Sequence, residues 1–128
     1  MRRRTQAAER FAERRRQEDD AARLRDVAPD LVACKVELAE RRADVGIAEV
    51  AHTRHLVVAR APALLFIPCS DPSCRDGGHD ISSTLLRGLR ERRRDIRGED
   101  SCNGNVGTAH CGRLLQFHAH ATYAEQPG

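Results

Sequence analysis

From residue 31 the chain alternates. In LVACKVELAE, residues 31–40, Val32, Cys34, Val36 and Leu38 fall on one side, and Lys35 and Glu37 on the other. Side chains of a strand project to opposite faces with a period of two, so this stretch predicts a half-buried strand. A helix running through Glu40 is the competing assignment. Residues 41–53 read as a connection, and HLVVARAPALLFIP, residues 55–68, as β-rich chain broken near Pro62. LLQFHAHATY, residues 114–123, alternates most cleanly. Leu115, Phe117, Ala119, Ala121 and Tyr123 share one face, and Gln116, His118, His120 and Thr122 the other.

Two segments carry helical patterning instead. In ISSTLLRGLRERRR, residues 81–94, Ile81, Leu85 and Leu89 form a stripe at i, i+4, i+8, with Leu86 beside it. Asp80 is placed to cap its start, and Arg90 and Arg92 to Arg94 would lie where the helix dipole favours positive charge. Residues 5–26 contain no Gly or Pro and are dense in Ala, Arg, Glu and Gln, a composition that favours helix. Their apolar positions are sparse, so a solvated helix or a partly disordered arm is expected. A short strand is predicted at residues 95–97, and SCNGNVGTAHCG, residues 101–112, is expected to be a loop from its Asn and Gly content.

This order of elements predicts an α+β fold: a small, mainly antiparallel sheet with one packed helix and a charged N-terminal helix. Residues 1–28 form the charged arm, residues 29–124 the cysteine-rich domain, and residues 125–128 a tail. The four aromatic residues of the 128-residue chain are Phe11, Phe66, Phe117 and Tyr123. A core so poor in large side chains gains from a cross-link, a metal or a partner.

Charge changes the picture little. The net charge is +3, and residues 1–28 account for it with nine Arg against six acidic residues. A plain exposed helix is the favoured expectation for the arm; it is also the segment through which a protein partner could dock, with nucleic acid a weaker alternative. Lys35 is the only lysine, so arginine is this chain's default cation and its clusters are weak pointers to phosphate. No apolar run reaches the ~18 residues of a membrane span. The N-terminal arginines lack the apolar segment of an export signal. The expected location is cytoplasmic with no membrane partner, where clustered cysteines read as metal ligands or redox groups before disulfides.

Candidate chemistry then centres on four cysteines in two loops, Cys69-x4-Cys74 and Cys102-x8-Cys111. Both pairs sit among Gly, Pro, Asn and Asp, where the chain turns. Two loops that each supply two thiolates can complete the tetrahedron zinc needs. Glycines nearby let backbone amides point at the sulfurs and spread their charge. Cysteines without a ligand, a redox pair, and a thiol enzyme using Cys69 or Cys74 as nucleophile are the alternatives. Cys34 occupies an apolar slot and reads as core.

Among the histidines, His79 either joins the site as ligand or hydrogen-bond partner, or merely opens the helix. His110 adjoins Cys111 and is a candidate to support it. His118 and His120 share one strand face; such a pair can bind a metal, but a polar outer face is the plainer expectation. His52 and His55 have no evident partner. A zinc deaminase would need H-x-E and PC-x-x-C; Pro68-Cys69 is followed by the wrong spacing. Walker, GxGxxG, GxSxG and HExxH motifs are absent, so a binding module is expected before an enzyme.

With its cysteine loop at a strand end, a following helix, and a second cysteine loop before the last strand, LLFIPCSDPSCRDGGHDISSTLLRGL with EDSCNG faintly resembles the thioredoxin-like [2Fe–2S] ferredoxins. It also resembles small bacterial cysteine-rich domains, a likeness that implies no function. The ferredoxin resemblance spans residues 64–123 and implies a redox carrier with Cys69, Cys74, Cys102 and Cys111 as cluster ligands. Cysteine gaps of four and eight, against about ten and three in that family, and a missing Gly-Pro after the last cysteine depart from its pattern. The residues themselves predict a structural four-cysteine Zn²⁺ site, with the [2Fe–2S] cluster as the alternative.

Overall fold

The structure is a computed structural model that describes residues 2–42, 49–75 and 77–125. The expected connection across 43–48 and the tail beyond residue 125 lie outside the described residues, as does the Phe11 side chain. Helix α1 spans Arg2–Asp20 and the single turn α2 spans Leu24–Val27. Strand β1 follows at Leu31–Arg41, then β2 at Val50–Leu56 and β3 at Phe66–Pro68. The two-residue β4, Cys74–Arg75, and β5, Gly78–Asp80, precede helix α3, Ser82–Arg90. Strand β6 spans Asp95–Ser101, the small β7 and β8 span Asn105–Val106 and Ala109–His110, and β9 spans Leu114–Tyr123.

The architecture is α+β with antiparallel sheets. The principal sheet has the order β2-β1-β9-β6. Its central pair joins distant parts of the chain, with Leu31 opposite Tyr123 and Arg41 opposite Leu114. Cys34, Val36 and Leu38 of β1 and Leu115, Phe117, Ala119 and Ala121 of β9 form the buried face, in one cluster with Leu24, Ile81, Leu85 and Leu89. The stripe expected on α3 is therefore the stripe that packs. The opposite face carries the polar alternates of the same strands.

Several local expectations change. Val32 is 58% exposed, not inward, because the β1–β9 register shifts between Leu31 and Ala33. A bulge inserts one residue and inverts the alternation on one side of it, so Leu31 takes the buried place. Residues 55–68 are not one broken strand. The first strand of this region starts earlier, at Val50, within the expected connection, and residues 57–65 turn before β3. Edge strand β2 is exposed along most of its length, so it lacks the apolar alternation that betrays a strand.

Helix α3 stops at Arg90, and Arg92 has a positive φ of 59°, which places Arg92 to Arg94 beyond the helix. Asp80 does not cap it by side chain; Ile81 holds the cap position. The Asp80 carboxylate instead accepts the Ser82 N–H at 2.9 Å, one residue into the turn. The strand expected at 95–97 extends through Ser101, and the second cysteine loop contains the β7–β8 hairpin, turned at Gly107 with φ 63°.

Candidate metal centre

Two excursions from the sheet build the centre. β3 and β5 pair, with Pro68 opposite Gly78, and the chain between them carries Cys69 and Cys74. Within it, the Asp71 carboxylate accepts the Ser73 N–H at 2.9 Å, and the Asp71 carbonyl accepts the Cys74 N–H at 3.0 Å. The second excursion joins β6 to β9. Its ends close where Cys102 N–H donates to the Arg113 carbonyl at 2.8 Å, and Cys111 N–H donates to the Gly104 carbonyl at 2.9 Å. A ladder stitches one excursion to the other, with Cys74 opposite Val106 and Arg75 opposite Asn105.

The four loop sulfurs converge. Cys69, Cys74, Cys102 and Cys111 bring their Sγ atoms within 4.8 Å of one another. The short separations cross between loops: Cys69 to Cys111 is 3.7 Å and Cys74 to Cys102 is 3.6 Å. These are far beyond the ~2.05 Å of a disulfide, and all five cysteines are free thiols. Cys34 stands apart in the core, as its alternating position requires, and burial pushes its thiol up to about 11.

Backbone amides face the cluster. The Gly104 N–H donates to Cys102 Sγ at 3.4 Å. The Asp71 and Arg113 amides act in the same sense on Cys69 and Cys111, favouring their ionised forms. Each of these amides lies two residues after its cysteine. Such bonds stabilise thiolate over thiol. Glycine makes the close approach feasible. A Cβ at Gly77 would lie 2.5 Å from Cys102 Sγ and closer still to Cys74 Sγ. A Cβ at Gly104 would lie 2.5 Å from both Cys74 Sγ and the Gly77 Cα.

Proton affinity within the cluster is divided. Burial raises the Cys69 thiol well above its ordinary range, helped by hydrogen bonds with Cys111 and Cys102. Burial and the Cys102 neighbour push Cys74 up to about 12. At Cys111 burial acts against ionisation, yet the Arg113 amide and the other three thiols outweigh it and hold the group below its usual value. The cluster therefore holds protons more firmly on Cys69 and Cys74 than on Cys111. A metal would displace those protons.

Beneath the cysteines lies a polar layer whose residues the alternating pattern contains but does not single out. Glu40 continues the buried face of Val36 and Leu38 and is only 3% exposed. Its Oε1 accepts the Ser70 hydroxyl at 2.6 Å, the Ser70 N–H at 3.2 Å and Arg113 Nε at 2.7 Å. Cys69 Sγ stands 3.9 Å from the same oxygen. Burial pushes the Glu40 carboxyl up, but the Ser70 and Arg113 hydrogen bonds together hold it below the ordinary carboxylate range. Nothing in the spacing of Arg113 announced this pairing.

His79 is outside the four-sulfur cluster. It sits fully buried on β5, with Nε2 3.4 Å from Glu40 and Nδ1 3.3 Å from Asp100. Neither ring nitrogen has a hydrogen bond of good geometry. His110 is exposed. His118 and His120 lie on the polar face of the sheet, their ring centroids 3.9 Å apart.

No family model, curated protein or solved structure matches this chain. Its own geometry is what bears on function. Among the described residues, no helix is long and apolar enough to cross a membrane.

Proposed function

We propose that this protein is a metal-binding module in which Cys69, Cys74, Cys102 and Cys111 hold one Zn²⁺ ion for structural purposes. The convergence of four thiols from two separate loops carries this reading. At a zinc–sulfur distance of ~2.3 Å, sulfurs sharing one ion stand ~3.8 Å apart. The cross-loop separations of 3.6 and 3.7 Å agree with that value. The amide donors and the glycine contacts suit thiolates gathered around a cation. Four sulfur ligands would close the coordination sphere, which is the pattern of a structural site.

The second reading is a [2Fe–2S] redox carrier with the same ligands. A two-iron cluster holds two ligands on each iron and so needs wider separations across the cluster than on one iron. Mutual separations within 4.8 Å favour a single ion. Elemental analysis of protein purified under reducing conditions tests both. One thiolate-bound zinc per chain is expected, and Cys69→Ser or Cys102→Ser should abolish that equivalent. A brown protein with stoichiometric iron would replace the zinc reading, and a folded protein without either metal would end both.

The module belongs in a reducing cytoplasm, and its partners would meet it through the charged helix Arg2–Asp20. Protein is the favoured partner class. Nucleic acid is the weaker alternative, and it is dropped if binding is absent at low salt, where phosphate contacts are strongest.

A further inference from the structure

We propose that Glu37, His118 and His120 form a second metal site, independent of the cysteines, that takes a divalent first-row ion and leaves one coordination position open. These residues lie on the polar face of the principal sheet. His118 and His120 alternate along β9, so both rings project from the same side. Glu37 of β1 is the direct cross-strand partner of His118. Each of the three offers a ligand atom within 4.8 Å of the other two.

Three observations point to a cation. His120 Nε2 is a buried polar atom with no hydrogen-bond partner. It faces Glu37 Oε2 at 3.4 Å, a poor hydrogen bond but close to the ~3.3 Å that separates two tetrahedral ligands at bonds of 2.0–2.1 Å. His118 places Nε2 2.9 Å from Asp95 Oδ1. A carboxylate on one imidazole nitrogen fixes the ring and leaves the other for a metal, as the supports of metal-bound histidines do. Asp95 also lies 3.7 Å from His120 Nδ1, so one carboxylate addresses both rings. The rings themselves are tilted by 39° at a centroid distance of 3.9 Å, near enough to share an ion.

The ligand chemistry differs from that of the cysteine centre. Two imidazoles and a carboxylate suit zinc, iron(II) or another borderline dication. Three protein ligands leave the fourth corner to water or a small anion, as in sites where the metal meets an exchangeable ligand. Glu37 and His118 also line a cleft of about 780 Å³ on the sheet face, with Thr53, Arg97, Glu99 and Gln116, through which water or a small ligand can reach them.

Metal counting on the whole chain separates the two centres. Metal-depleted protein is dialysed against Zn²⁺ and analysed for bound metal, and a parallel sample is loaded with Co²⁺. Thiolate ligation gives Co²⁺ an intense near-ultraviolet charge-transfer band that imidazole and carboxylate do not. The wild type should bind two equivalents. His118→Ala and Glu37→Gln should each bind one, with the thiolate band intact, which also reports that the variants are folded. Cys69→Ser with Cys111→Ser should lose the thiolate band and keep the equivalent that depends on His118. A wild type that binds only the thiolate-dependent equivalent overturns the proposal, as does a second equivalent that survives in both sheet-face variants. A single equivalent without a thiolate band that His118→Ala removes would uphold this site and end the zinc–cysteine reading instead.

Discussion

Gly104 has no side chain because two other groups already occupy the place one would take, Cys74 Sγ and the Gly77 backbone. A backbone atom cannot rotate aside as a flexible side chain can. Gly104→Ala should therefore spread the sulfurs and lower zinc occupancy at least tenfold by competition with a chromogenic chelator, while substitution of exposed His110 leaves it unchanged. Glu40 is the second residue on which much depends. Glu40→Ala would leave the Arg113 guanidinium, 9% exposed, without its closest acceptor. Leaving a buried charge without any partner costs about 3–5 kcal/mol; Glu49 still faces Arg113 at 3.5 Å, so denaturant unfolding should read a smaller loss. Cys34 makes a prediction about pH. Its thiol ionises near 9.0 when unfolded and near 11 in the core, so as pH rises the unfolded state releases its proton first. Stability should be unaffected by this group below pH 9 and should fall between pH 9 and about 11. The difference in slope between wild type and Cys34→Ala, measured by chemical unfolding of the zinc-loaded protein, should vanish below that window.

At the scale of elements, β1 shows what a pattern can and cannot convey. Its alternation makes it a strand, yet the bulge near its start reverses the place of Val32. Val32→Thr should change stability by no more than ~0.5 kcal/mol, whereas Leu38→Ala, 2% exposed, should cost about 2–5 kcal/mol. Equilibrium unfolding of the two variants distinguishes the observed register from the unbroken alternation. The same strand explains why the candidate centre was half legible. Cysteine spacing and turn residues pointed to all four thiols, because metal-ligand spacing is a local property. Glu40, Arg113 and His79 come from three separate segments, and only the tertiary fold brings them under the cysteines. Strands β2, β4, β7 and β8 were missed for related reasons. β2 is a polar edge, and the others are two-residue ladders whose pairing depends on distant chain. Strand β9 and helix α3 were legible since each buries a regular apolar face along its own length.

At the scale of the whole molecule, the sheet and the cysteine excursions differ in what sustains them. The sheet buries an apolar cluster from Leu24 through Ala121. The excursions rest on two-residue pairings and on sulfur contacts. Removing the metal from zinc-loaded protein with a strong chelator should therefore release the excursions first. Hydrogen exchange is expected to accelerate across residues 69–75 and 102–112 while the amides of Val36 and Ala119 keep their protection. Uniform loss of protection would mean that metal and sheet form one cooperative unit. The pairing of Leu31 with Tyr123 and of Arg41 with Leu114 also governs when this molecule can come into being. Strand β1 leaves a ribosome shortly before β2 but long before β9, its neighbour on the other side in the finished sheet, and Cys69 leaves well before Cys111. Until β9 emerges, the nascent chain presents an apolar strand and unpaired thiols together. That interval is the period in which a chaperone, or an early dose of metal, would decide whether synthesis ends in folded protein or in aggregate.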